Sequence, residues 1–323
     1  MSPRREPTMV PEVEFRSYYG QPIIKPPVWK TPDVPLYLFL GGLAGTSAVI
    51  APLAELTGRS RLARAGYLAA AAGAAGGTVA LIHDLGRPAR FLNMLRMLKP
   101  TSPLSVGSWI LASFGTSAGA AGAATVTGWL PGPARVAKAG AALLGPILTT
   151  YTAVLFADTA VPAWHDAHRQ LPFLFAGSAL AAGAGWGLVA APTVETRPLR
   201  AMAVVGAGVE ALAERRMRSR LGMVAEPYRT GRPGRWLRAA RWLTVGGAVL
   251  AATGRGRAAA AVAGTALMVG SLCTRFGVFE AGIASARDPK YTVVPQRRRL
   301  SALAGPGEPG VGKTGPAVSA PPP

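Results

Sequence analysis

Residues 106–130 form a run of 25 without a single charged side chain. At about 1.5 Å per helical residue such a run outreaches the roughly 30 Å hydrocarbon slab of a bilayer. A water-soluble core does not require a stretch of this length. Comparable apolar runs recur along the chain, and their limits predict eight membrane helices over 34–56, 62–82, 106–130, 139–157, 171–194, 199–213, 237–254 and 258–274. The sixth and seventh are short and interrupted by charge, so six or seven spans also fit the pattern. The expected fold is all-α, a polytopic membrane helix bundle.

Composition supports this reading. Half of the 323 residues are hydrophobic and 15% are charged, with Gly, Ala, Ser and Thr crowding the apolar runs as they do where membrane helices pack closely. The net charge of +20 would suggest nucleic acid in a soluble chain. Here the Lys and Arg sit in loops and tails, without interleaved aromatic faces, so no nucleic-acid partner is expected and the charge is read as topology. An even helix count puts both termini on one side. That side carries 26 of the 35 Lys and Arg and the other side 9, which by the positive-inside rule makes the termini cytoplasmic in a multi-pass cell-membrane protein.

Residues 1–33 are polar and proline-rich and lack the cationic, apolar and small-residue order of a cleaved signal, so the first apolar run is expected to be retained. Residues 34–274 are the membrane domain, 275–300 a basic juxtamembrane segment, and 301–323 a Gly/Pro-rich tail expected to be disordered. One cysteine, Cys273, rules out a disulfide framework and cannot by itself ligate an iron–sulfur cluster.

Ionisable groups in or beside membrane helices are functional candidates, because burying them unpaired costs several kcal/mol. They collect at one end of the predicted bundle. Asp33 precedes the first helix; His83, Asp84 and Arg87 gather where the second ends; Asp158 ends the fourth; His165, Asp166, His168 and Arg169 fill the next loop; Arg275 and Glu280 follow the eighth. Tyr151 lies seven residues before Asp158, about 10 Å deeper along its helix. A phenol beneath a His/Asp rim offers a quinone head group a hydrogen-bond donor, an apolar slot and a proton route to water. The plain alternatives are a packing or interfacial tyrosine and a helix-end ion pair. Glu55 and Glu210, more isolated, are read as snorkelling or loop-facing carboxylates. All three histidines fall at helix ends or in a loop, so no haem is expected. The glycine clusters at 41–45 and 183–187 lie inside apolar runs with no preceding strand, which makes them helix-packing glycines and not a dinucleotide fingerprint.

The segments Tyr37-Leu38-Phe39-Leu40-Gly41-Gly42-Leu43-Ala44-Gly45, Asp84-Leu85-Gly86-Arg87-Pro88 with Arg90-Phe91, and Ser102-Pro103-Leu104-Ser105 with Gly107 and Trp109 occur in that order. Tyr151, Pro162 and Trp164 follow, and then Arg275, Ala281-Gly282 and Asp288-Pro289. In these the chain resembles the NrfD/PsrC family of polysulfide reductase and related complexes. The resemblance implies an eight-helix subunit that binds menaquinone or ubiquinone and holds no haem or iron–sulfur cluster of its own. It further implies electron exchange with a ferredoxin-like iron–sulfur subunit wired to a molybdopterin catalytic subunit, so the chain is not catalytic alone. Carried over by position, Tyr151 is the family's quinone ligand, with Tyr37 and Asp33 nearest to its polar residues at the start of the first helix. His83, Asp84 and Arg87 complete the expected site, and Asp158 and His165 are proton-path candidates. Better-known family members dock their partner outside the cytoplasm on the termini side, opposite to the charge count. A secondary transporter and an anchor without quinone chemistry are the rival readings. A transporter would call for broken helices and midplane charge.

Overall fold

The computed structural model describes residues 23–87 and 89–303. The tail expected to be disordered therefore lies outside the described residues from 304 onward, as do residues 1–22 of the N-terminal segment. Eight long helices run through the described chain: α1 (Asp33–Leu56), α2 (Ser60–Leu85), α4 (Pro103–Thr127), α5 (Pro131–Ala157), α7 (Leu171–Ala190), α8 (Arg197–Arg220), α9 (Gly231–Thr253) and α10 (Gly256–Arg287). Short helices α3 (Ala89–Met94) and α6 (Pro162–His165), a 3-10 helix at Gly222–Tyr228, and α11 (Lys290–Leu303) connect or follow them. No strand occurs among the described residues.

Five of the long helices, α1, α2, α5, α7 and α10, are long and apolar enough to cross a membrane. Of the remaining three, α4 carries no charge but is diluted by Gly, Ser and Thr, while α8 and α9 carry arginines along their length. The eight long helices correspond one for one with the eight expected runs; the limits differ. Pro131, which lies between the third and fourth expected runs, opens α5, where its missing N–H costs nothing. The greater change is at the other end. The eighth helix, expected to stop at 274, runs to Arg287, so Arg275 and Glu280 are helical residues inside α10 and not part of a trailing juxtamembrane segment.

Consecutive helices alternate in direction, bringing the start of α1, the end of α2, the start of α4, the end of α5 and the corresponding ends of α7 to α10 to one face, here called the terminal face. α1 packs on α2, α5 and α7, α4 bridges α2 and α5, and α10 packs on α7 and α9. Two apolar clusters divide the bundle by depth. One, with Tyr37, Leu38, Phe156, Trp164 and Phe279, fills the half near the terminal face; the other, with Ile50, Leu62, Tyr67, Leu188 and Leu267, fills the opposite half. Outside, Val79, Val126, Leu143, Phe173, Trp242 and Val249 are exposed, an apolar surface of the kind a lipid belt covers.

Lipid tails are as apolar as Leu, so helices in a bilayer associate through close packing. Glycine crossings provide it. A Cβ on Gly45 would sit 2.5 Å from the Gly145 carbonyl oxygen where α1 meets α5. The same holds for Gly177 against Gly206, at 2.9 Å, and Gly185 against Gly264, at 2.6 Å, where α7 meets α8 and α10. Gly145→Leu is therefore expected to destabilise the bundle by about 1–3 kcal/mol through overpacking, seen as a lower unfolding midpoint in detergent. Gly119→Leu, on an α4 surface with nothing within 4 Å of the added Cβ, should melt as the parent does.

Candidate functional site

The polar groups of the terminal face fall into three places. The first is the rim over α1 and α2. Asp33 opens α1, and its carboxylate accepts a hydrogen bond from His83 Nδ1 at 2.8 Å. Asp33 is buried, whereas the His83 side chain is 75% exposed, so the pair joins the bundle interior to water. Next to it, Asp84 Oδ1 accepts the Lys30 backbone N–H at 2.7 Å, tying the incoming chain to the end of α2. Arg87 is exposed beyond Gly86, the left-handed residue that ends α2.

Tyr37 stands one helical turn, about 6 Å, below Asp33 on the same side of α1. It is 4% exposed, and its hydroxyl has no hydrogen-bond partner among the described residues. The hydroxyl is not among the fully enclosed unpaired polar atoms, so it stays open to an acceptor from outside the protein. Tyr151, its electrostatic neighbour on α5, is also buried, but its hydroxyl donates to the Pro103 carbonyl at the start of α4. Gly107 makes room for that ring: a Cβ there would overlap it. The resemblance thus singled out a tyrosine whose proton is engaged, while Tyr37 holds the unused donor.

The second place is a cleft of about 580 Å³ over the end of α5, lined by Asp158, His165, Asp166, Tyr291 and Arg299. His165 Nδ1 lies 3.0 Å from the Ala157 carbonyl, an N–H donor to that oxygen, and Arg299 approaches Asp166 at 3.8 Å. The two proton-path candidates, Asp158 and His165, therefore share one opening, distinct from the α1/α2 rim. Beneath it an aromatic stack joins Trp29, Phe156 and Trp164, with Phe156 and Trp164 nearly parallel at 4.3 Å between centroids. Trp164 Nε1 donates to the Val278 carbonyl at 2.8 Å, and a Cβ on Gly282 would run into its ring. Tyr228 fixes the same turn by donating to the Ala163 carbonyl at 2.8 Å, and burial raises its hydroxyl pKa.

The third place departs from the sequence reading. Glu210, taken as a snorkelling carboxylate, is 7% exposed and accepts a hydrogen bond from Thr274 Oγ1 at 2.5 Å. Arg275, expected beyond the last helix, is fully buried. Its guanidinium donates to the Phe175 carbonyl at 2.9 Å and lies 3.8 Å from the centre of the Phe175 ring. Glu210 is its nearby opposite charge. Glu210 Oε2 and Arg275 Nε and Nη1 have no partner among the described residues, and a cavity of about 20 Å³ beside Glu210 and Thr274 has room for one water. Toward the terminal face Glu214 is held by Arg218 at 2.6 Å and Arg241 at 2.9 Å. The sequence named Arg275 as a candidate but put it beyond the last helix and read Glu210 as loop-facing, so it gave no sign that α8 and α10 bring the two together. The remaining isolated carboxylate, Glu55, is also paired, with Lys138 at 2.8 Å and the Tyr67 hydroxyl at 2.6 Å at the opposite face.

Fold and site together define an integral membrane subunit whose polar groups gather at one face. The chain belongs to the NrfD family: the family described as "Polysulphide reductase, NrfD" matches residues 24–202, more than half of it. The match spans α1 to α7 and the start of α8, and so includes the rim, both tyrosines and the 580 Å³ cleft's inner wall. No curated protein matches the chain. The family is quinone-reactive in general.

Removing one member of the buried Glu210/Arg275 cluster should cost far more than removing both. Glu210→Leu alone strands the guanidinium and is expected to cost about 3–5 kcal/mol. The double variant Glu210→Leu/Arg275→Met should recover most of that, as compared by unfolding midpoints in detergent.

Proposed function

We propose that the chain is the membrane anchor and quinone-binding subunit of a multi-subunit oxidoreductase, with the quinone head group held between Tyr37 and Tyr151 beneath the Asp33–His83 pair. The observation that carries this reading is Tyr37, 4% exposed and with no hydrogen-bond partner for its hydroxyl among the described residues, one turn below a His/Asp pair that reaches water. Bound menaquinone or ubiquinone supplies a two-electron, two-proton couple that diffuses in the lipid.

The residues of the chain divide the remaining work. Tyr37 donates a hydrogen bond to one carbonyl oxygen; Tyr151, turning from the Pro103 carbonyl, donates to the other. His83, oriented by Asp33 through Nδ1, leaves its second ring nitrogen free to exchange protons with water. Asp84 anchors the chain entering α1 beside that pair, and Arg87 adds positive charge at the rim. Asp158 and His165 offer a second proton opening in the cleft over α5. Electrons pass at the terminal face to or from a ferredoxin-like iron–sulfur subunit, itself connected to a molybdopterin catalytic subunit, so turnover belongs to the assembly. The Lys and Arg excess supports a cytoplasmic terminal face, against the precedent of better-known family members, and a compartment-sensitive reporter on the C-terminus reads the side directly.

Binding of a short-tailed menaquinol analogue to the purified protein tests the site. Tyr37→Phe is expected to weaken binding about fivefold, the loss of one neutral hydrogen bond, with an unchanged unfolding midpoint. If Tyr37→Phe and Tyr151→Phe both bind as the parent does, the site lies elsewhere. Solute flux through the protein in liposomes without any redox partner would instead favour a transporter.

A further inference from the structure

Near the end of α8, Arg218 and Arg241 hold Glu214, and Arg232 reaches Glu280. Other arginines there have no carboxylate, and three of the unpaired ones share one cleft. Arg169, just before α7, and Arg216 and Arg220, in the last turns of α8, are exposed and make no side-chain hydrogen bond or ion pair with any described residue. They line one cleft of about 730 Å³ between α7 and α8, and no carboxylate lines it with them. Three like charges around one opening repel one another unless an anion enters.

Two further features describe the anion. Gln170 lines the same cleft, and its side-chain amide makes no hydrogen bond with any described residue, which leaves a neutral donor and acceptor for whatever enters the cleft. Phe173 and Leu212 form the deeper wall and are 64% and 52% exposed. Leu212 stands four residues, about 6 Å, below Arg216 along α8, and Phe173 lies in the first turn of α7, which follows Arg169. The order from the terminal face inward is guanidinium, amide, then apolar wall, facing outward between two helices.

We propose that this cleft binds an anionic phospholipid, its phosphate among Arg169, Arg216 and Arg220, its ester region at Gln170, and an acyl chain along Phe173 and Leu212. A soluble phosphate would use the arginines and leave the apolar wall bare. A zwitterionic lipid would bring its own cation toward three guanidiniums. An anionic headgroup such as phosphatidylglycerol satisfies both halves. The lipid bridges the start of α7 and the end of α8, the two helices that cross at Gly177 and Gly206.

Native mass spectrometry of the full-length protein in a neutral detergent, titrated with dioleoyl phosphatidylglycerol or dioleoyl phosphatidylcholine, tests the site. The anionic lipid is expected to bind at least tenfold more tightly. Each guanidinium near a membrane surface contributes about fivefold, so Arg216→Gln/Arg220→Gln should weaken the anionic lipid by more than tenfold and abolish the preference, with the unfolding midpoint unchanged. Arg61→Gln/Arg64→Gln, exposed at the opposite face, should alter neither. The proposal is overturned if the two lipids bind equally, if the preference survives Arg216→Gln/Arg220→Gln, or if excess inorganic phosphate displaces the lipid. It is also overturned if that double variant keeps its lipid preference but loses a co-purifying acidic protein, which would make the cleft a protein-docking surface.

Discussion

Backbones that approach closely enough for glycine to be required hold this bundle together. A hydrophobic effect drives helices into lipid but scarcely drives them onto one another once there, so the contacts at Gly45/Gly145, Gly177/Gly206 and Gly185/Gly264 carry the association. They set which helices neighbour which: α1 with α5, and α7 with both α8 and α10. The rest of the arrangement depends on those crossings. The approach of α1 and α5 brings Tyr37 beside Tyr151, and that of α7 and α10 sets Phe175 over Arg275 and aligns Ser178 with Ser271 at 2.8 Å.

Polar chemistry is graded with depth. At the terminal face Asp33 and His83 pair across the ends of two helices, with one member buried and the other in water. A turn further in, the Tyr37 phenol has no hydrogen-bond partner among the described residues. Deeper in the second half of the bundle, Glu210, Thr274 and Arg275 form a cluster whose polar atoms are only partly satisfied by protein. Paired ions at the opposite face, Glu55 with Lys138 among them, are compact and locally satisfied. This asymmetry suits a protein that exchanges electrons and protons at one surface while the other closes the bundle.

The helices were legible because a chargeless run of 25 residues has few other fates, and because Gly, Pro and charge punctuate its ends. Their limits were less so. Proline at 131 reads as a turn from sequence, yet at the first helical position it is well tolerated. Thr274-Arg275 reads as a boundary, yet α10 continues three more turns because Glu210, 64 residues back from Thr274, and the Phe175 carbonyl receive the polar groups. The residue types of the proposed site, Asp33, His83, Asp84, Tyr37 and Tyr151, were likewise visible, whereas it was not visible that Tyr151 bonds the Pro103 carbonyl while Tyr37 bonds no described residue.

By itself, then, the sequence determined that this chain is a many-helix membrane protein with its ionisable groups at one end, since hydropathy and charge act locally and are additive along the chain. Tertiary structure alone decided which of those groups meet: the His83–Asp33 pair across 50 residues, the burial of Arg275, and the three arginines left without carboxylates between α7 and α8. Pairing depends on which helix faces which, and that is fixed by the fit of small residues at a few crossings, a matter of shape that no single segment of the chain contains.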